Sequence, residues 1–213
     1  QSLREIVHER VRSALLSGEI GADERFTESQ LAEGLGTSRA PICEALRELQ
    51  QEGLIVPSGQ RGYILRPVET EDVRELGLLR SALERLAAGL AVQRASDEEI
   101  AELAALVDRM AAEEASSSLS EGLEKLDTDF HERLCRLAKH EALLAIWLSM
   151  RARMTLAMRA VNLSWDTKGF AASHELVVKA LQSGDPKKAE AAIEEHILSG
   201  LDRLMSVAAA KSG

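Results

Sequence analysis

Residues 31–55 read LAEGLGTSRAPICEALRELQQEGLI, and two helical stripes meet there across a glycine. Leu31, Ala32 and Leu35 form the first stripe, and Gly36 closes it. Ser38 opens the next segment, where Pro41 falls in the first turn of a helix and is tolerated. Ile42, Ala45, Leu46 and Leu49 recur at three- and four-residue steps until Gly53 ends the pattern. Two short helices joined by a glycine-containing turn are a helix-turn-helix unit.

Working outward, Thr27 with Gln30 makes a capping-box pattern, so the first of these helices is predicted over 27–36 and the second over 38–52. Upstream, Leu3, Ile6, Val7, Val11, Ala14 and Leu15 predict a helix from Leu3 to Leu16, stopped by Gly18. Downstream, Leu54–Val56 and Tyr63–Leu65 read as two short strands around a turn at Ser58–Arg61. Three helices followed by a two-strand ribbon give the order of a winged helix-turn-helix. Gly and Pro cluster before residues 66–70, which places a domain boundary there, with one domain at 1–67 and a second at 68–213.

The second domain reads as six helices at about 70–93, 97–115, 119–138, 141–162, 167–183 and 186–209, with Ala111–Ser120 open to reading as a loop. Ser96 with Glu99 makes another capping box, and Gly184 followed by Asp185-Pro186 ends one helix and starts the next. The fold class is mainly α, an N-terminal winged helix-turn-helix followed by an all-helical bundle.

Composition agrees. A 213-residue chain with 45% hydrophobic residues can bury a core, and 3% aromatics in an Ala- and Leu-rich sequence favour helix. A net charge of −9 argues against coating nucleic acid or an anionic membrane by bulk charge. Residues 1–66 carry only −2 of it, and their cations are all arginine. Cys43 and Cys135 form no framework, so a reducing, cytoplasmic setting is expected. No apolar run reaches the length of a membrane span, Ala142–Met150 being the best. The chain opens at Gln1 on a helical pattern without a signal-peptide core, and a trimmed or disordered end is expected.

In a helix-turn-helix the N-terminal residues of the second helix meet the base edges. Thr37 and Ser38 suit phosphate oxygens, Arg39 suits bidentate contact with guanine, and Arg47 lies further along the same helix. Arg61 and Gly62 in the wing turn suit a close backbone approach to DNA. The competing reading makes the hydroxyls helix caps and the arginines solvated charges.

In the bundle, Asp127 and His131 lie four apart and share a helix face. His174 and His196 sit on the last two helices, 10 residues before and 12 after Gly184, so an antiparallel hairpin sets them level. A bundle core can gather all four, and three imidazoles with one carboxylate suit Zn, Ni or Mn with coordination positions left open. Against this stands an ordinary i,i+4 pair with two unrelated histidines. A set of this kind also admits a second function, a metal-dependent enzyme (hydrolase or oxygenase) that activates water.

Residues 31–55, with 20–27 before them and Arg61–Pro67 after, resemble the DNA-binding domain of GntR-family bacterial transcription regulators. Two arginines common in that family are replaced here, by Ser29 and by Cys43, and Arg39 is retained. The replacements bear on which operator is read, and Cys43 invites comparison with a redox sensor. Asp127–Leu134 resembles the Asp-x-x-Phe-His-x-x-Leu signature of the FadR-type effector domain, the FCD domain, and Ser173–Glu175 with Ala189–His196 resembles its closing helices. The resemblance implies a metal held by Asp127, His131, His174 and His196, and a small carboxylate as effector. Leu79–Glu84 resembles the Arg-x-x-Leu-Glu segment of such domains, which makes Arg80 the candidate partner of that carboxylate, with an i,i+4 pair to Glu84 as the alternative. Asn162, Arg153 and Arg159 are further candidates, and Trp147 and Trp165 read as core or interface. The resemblance implies a homodimer that binds a palindromic double-stranded DNA operator and responds to the acid.

Overall fold

The computed structural model describes residues 3–21, 23–59, 62–116, 121–160 and 168–211. The chain divides into two compact units, the first carrying residues 1–69 and the second the bulk of residues 70–213. No described helix is long and apolar enough to cross a membrane.

The first unit holds α1 (Leu3–Ser17), α2 (Glu28–Gly34), α3 (Arg39–Gln51), β1 (Ile55–Pro57) and β2 (Tyr63–Leu65). The α3 face formed by Ile42, Ala45, Leu46 and Leu49 is wholly buried, α3 packs on α1, and Val7, Val11 and Leu15 of α1 are buried as well. Arg4–Glu48 and His8–Glu52 tie the same two helices at 2.5 and 2.7 Å. Leu3 and Ile6, expected on the inner face of α1, are about half exposed, because burial begins only at Val7. In α2 only Ala32 is fully buried, with Leu31 and Leu35 half-buried, since seven residues make too short a helix for a full stripe. The Thr27 hydroxyl accepts from the Gln30 backbone N–H as expected, and it donates to the Gln30 side-chain oxygen at 2.8 Å.

The wing is antiparallel, with Ile55 opposite Leu65, Val56 opposite Ile64 and Pro57 opposite Tyr63. Its first strand starts one residue later than the pattern predicted. Leu54 is shared: its N–H donates to the Leu49 carbonyl in the turn that closes α3, its carbonyl accepts from the Arg66 N–H beside the wing, and its side chain is fully buried. Phe26 adds a bridge to Tyr63 with backbone hydrogen bonds of 3.0 and 2.8 Å and stacked rings. A one-residue bridge has no alternation for a sequence pattern to reveal.

The second unit holds α4 (Thr70–Arg94), α5 (Asp97–Ala115), α6 (Glu121–Leu137), α7 (Glu141–Ala160), α8 (Phe170–Gln182) and α9 (Pro186–Lys211). α4 packs on α9 and α6, α5 packs on α8 and α6, and α8 packs on α9. Ser96 and Glu99 complete their capping box, and Asp185 accepts from the N–H groups of Lys187 and Lys188 at the start of α9. α8 begins three residues later than predicted, after Gly169 at φ 80°. The Glu114 carboxylate of α5 accepts from the N–H groups of Gly169 and Ala171 there, a cap supplied from 55 residues upstream. Its first turn is therefore fixed by tertiary contact, not by a local signal.

Leu103, Phe130, Leu134, Val177 and Ile193 are fully buried in the core of this unit. Leu103→Ala is expected to cost about 2–5 kcal/mol of stability in urea unfolding, from lost burial plus the cavity left. A change below about 0.5 kcal/mol would place Leu103 outside the cooperative core.

Candidate functional site

The first functional surface is the start of α3. Gly36 at φ 59° makes the turn from α2, and Ser38 follows in extended conformation as N-cap. The Ser38 hydroxyl makes no capping bond, so it is not consumed by the helix it precedes. Thr37 is half-buried and its N–H donates to the Ala32 carbonyl at 3.0 Å. Arg39 is 67% exposed and its guanidinium donates to Glu28 of α2 at 2.7 Å. Arg39, Cys43 and Arg47 succeed one another at four-residue steps on one face of α3. The Glu28 carboxyl is held below its usual range, first by the Arg39 hydrogen bond and then by Cys43. The Cys43 thiol is pushed up, first by burial and then by Glu28. A raised thiol is the opposite of what a redox-reactive cysteine needs.

Gly62 lies at the wing. A Cβ there would come within 2.5 Å of Arg25 Nε and 3.2 Å of the Phe26 carbonyl, so any larger residue has to displace the Arg25 side chain. Arg61 lies outside the described residues, as do Asn162 and Trp165 and the side chain of Arg159.

The second site is buried in the bundle. Asp127 and His131 of α6, His174 of α8 and His196 of α9 offer ligand atoms that all lie within 4.8 Å of one another. His174 Nε2 stands 3.0 Å from Asp127 Oδ1, His131 Nε2 stands 3.5 Å from the same oxygen, and His196 Nε2 stands 3.4 Å from His131 Nε2. The first three residues are buried and His196 is half-buried. Phe130 packs nearly perpendicular to both the His131 and the His174 ring, which walls the cluster with hydrocarbon.

Two of the three far ring nitrogens are committed, and His196 Nδ1 is buried without a hydrogen-bond partner. His174 Nδ1 donates to the Phe170 carbonyl at 2.9 Å, and His131 Nδ1 donates to Glu84 Oε2 at 2.5 Å. In the neutral rings both Nε2 atoms therefore carry lone pairs, and they face a carboxylate oxygen. Acceptors crowded this way need protons or a cation among them. The donor set, two anchored imidazoles, a third imidazole and a carboxylate, fits a divalent transition metal.

Electrostatics reinforce the fit. Burial alone would raise the Asp127 carboxyl, yet His131, the contact with His174 and the Arg80 charge hold it well below the usual carboxylate range. Burial and Arg80 push His131 down, and Glu84 with Asp127 outweigh them, leaving its pKa raised. His196 is pushed down to about 2 by burial and by His174 and His131, so it stays neutral and able to ligate.

Arg80 pairs with Glu84 at 2.8 Å, as the i,i+4 alternative predicted, but in the interior of the unit and not at its surface. Its Nη2 atom lies 3.7 Å from Asp127 Oδ2. Arg153 pairs with Asp72 at 3.6 Å. Trp147 is buried, and its indole N–H donates to Glu84 Oε1 at 2.8 Å. The sequence offered Glu84 only as an i,i+4 partner of Arg80 and gave it no role beside His131. The available signal was a glutamate on the apolar α4 face that also carries Ser81, Ala88 and Ala91.

Residues 3–64 match the bacterial regulatory proteins of the gntR family, and residues 75–199 match the FCD domain. The chain belongs to the GntR family. This GntR protein is 33% identical over 187 residues to the Nta operon transcriptional regulator of Aminobacter aminovorans, covering 86% of each chain. It is 34% identical over 185 residues, 82% of this chain and 76% of the other, to a protein of Paenarthrobacter nicotinovorans named "Probable D-xylose utilization operon transcriptional repressor". Its fold matches that of E. coli McbR/YncC with a TM-score of 0.77 at 21% identity, over 96% of this chain and 97% of that one. It is a DNA-binding transcription regulator with an FCD effector domain, and the metal-dependent enzyme is not favoured.

Proposed function

We propose that this GntR regulator binds a palindromic operator as a homodimer and senses a small carboxylate through a divalent metal, Zn, Ni or Mn, in its FCD domain. Asp127, His131, His174 and His196 would hold the metal. The observation that carries this is the crowding of Nε2 atoms around Asp127 Oδ1 while two of the far ring nitrogens are bound elsewhere. A bound divalent ion supplies a Lewis-acidic centre with positions open to carboxylate oxygens. Arg80 would add positive charge beside that centre, with Asn162 as a further contact. Thr37, Ser38, Arg39, Arg47, Arg61 and Gly62 would meet DNA. The effector changes operator affinity only as far as it binds the two arrangements of the dimer unequally.

Elemental analysis after extensive dialysis is expected to find about one divalent metal per chain. Gel shifts with DNA from beside its own gene are expected to show a salt-sensitive complex whose affinity changes when small organic acids are added. Metal-free protein that stays folded and still responds to acids would overturn the metal reading. No shift with any such DNA would overturn the operator assignment.

A further inference from the structure

We infer that Glu84 is a positioning residue for the metal centre, holding His131 in the tautomer whose Nε2 lone pair faces Asp127 and His196. The inference rests on the metal reading above. Glu84 is fully buried, and each of its oxygens meets only donors. Oε2 takes the Nδ1–H of His131, while Oε1 takes the indole N–H of Trp147 and the Nε–H of Arg80. Three donors on two oxygens define an ionised, acceptor-only carboxylate. With Nδ1 protonated, the neutral His131 ring has its lone pair on Nε2, 3.5 Å from Asp127 Oδ1. One side chain on α4 therefore sets the tautomer of a ligand on α6, and it anchors Arg80 with its Nη2 atom 3.7 Å from Asp127.

The chemistry of Glu84→Gln separates this role from packing. Glutamine keeps the shape but offers one oxygen and one NH2 group. Two of the three surrounding donors, Trp147 and Arg80, sit on the same side, so the amide oxygen turns to them. The NH2 group then faces His131 Nδ1, which must become an acceptor. The ring proton moves to Nε2 and points into the metal centre, where it blocks ligation. Volume and burial are unchanged.

The test is long-range proton–nitrogen NMR of the full chain, combined with zinc titration against a chromophoric chelator. Metal-free wild type at alkaline pH is expected to carry the His131 proton on Nδ1. Metal-free Glu84→Gln at alkaline pH is expected to carry it on Nε2, with zinc affinity reduced about 10- to 100-fold and melting little changed. Trp147→Phe, which removes a donor but not the carboxylate, is expected to keep the wild-type tautomer and its zinc affinity within a few-fold. A wild-type proton on Nε2, or a Glu84→Gln protein with unchanged tautomer and affinity, overturns the inference. Should Glu84→Gln fail to fold, the wild-type tautomer decides alone. Wild type that carries Nδ1–H but takes up no zinc overturns the metal reading, and Glu84 is then only a structural partner of His131.

Discussion

His174→Ala is expected to lower zinc affinity by about 100-fold or more, because one of four ligands carries roughly a quarter of a free energy of about 10–16 kcal/mol. His174 is wholly buried, and its ring is held on both sides, by the Phe170 carbonyl and by the centre itself. Alanine leaves a cavity beside Phe130 and Phe170, so stability of the metal-free protein falls as well. Titration with zinc separates the two effects, since cavity loss alone would not change the affinity of protein that remains folded. Equal zinc content in the variant and the wild type would remove His174 from the ligand set.

The pH dependence of the same titration has a fixed sign. His131 has a raised pKa, so in metal-free protein its charged form contributes stability that is present below about pH 6.5, its unfolded value. That contribution is lost as pH rises through the raised folded value. Zinc must displace this proton, so its affinity rises with pH over the same interval. His196 is neutral throughout and adds no proton competition near neutrality. Affinity independent of pH between 6 and 8 would mean that His131 is not a ligand.

Arg39→Ala is expected to weaken specific DNA binding about 10-fold per half-site, and about 100-fold for a dimer on two half-sites. Of the arginines at the family's three positions only this one remains, since Ser29 and Cys43 occupy the others. Its guanidinium is mostly exposed and held by one exposed ion pair to Glu28, so the melting temperature is expected to stay nearly constant. An operator fragment selected from a random duplex pool supplies the probe. Unchanged affinity on that fragment would move base reading away from the tip of α3. A uniform loss on all sequences, with a smaller salt slope, would make Arg39 a phosphate contact.

The architecture of this chain was legible in sequence where local signals agree. The α3 stripe of Ile42, Ala45, Leu46 and Leu49, the Ser96–Glu99 box and the Gly184-Asp185-Pro186 junction each combine periodicity with a cap, and each element appears in place. Boundaries moved where a distant group intervened. Glu114 caps α8, and the turn after α3 takes the Leu54 N–H, leaving only its carbonyl to the wing. The first two turns of α1 show the limit of periodicity, which marks Leu3 and Ile6 as inward without showing whether anything covers them.

The buried site divides in the same way. Spacing placed Asp127 with His131 and levelled His174 with His196, because helical rise is a fixed distance per residue. Spacing left open whether the two pairs meet, and the packing of α6, α8 and α9 answers that with ligand atoms within 4.8 Å. It also could not show that Glu84 leaves solvent to take three donors from α4, α6 and α7. Sequence by itself determined the order of elements and the residue types of the candidate metal site, which depend on local periodicity and residue chemistry. Tertiary structure alone decided which way the His131 and His174 rings point, since the tautomer is set by a partner 47 residues away for His131 and by a backbone carbonyl for His174.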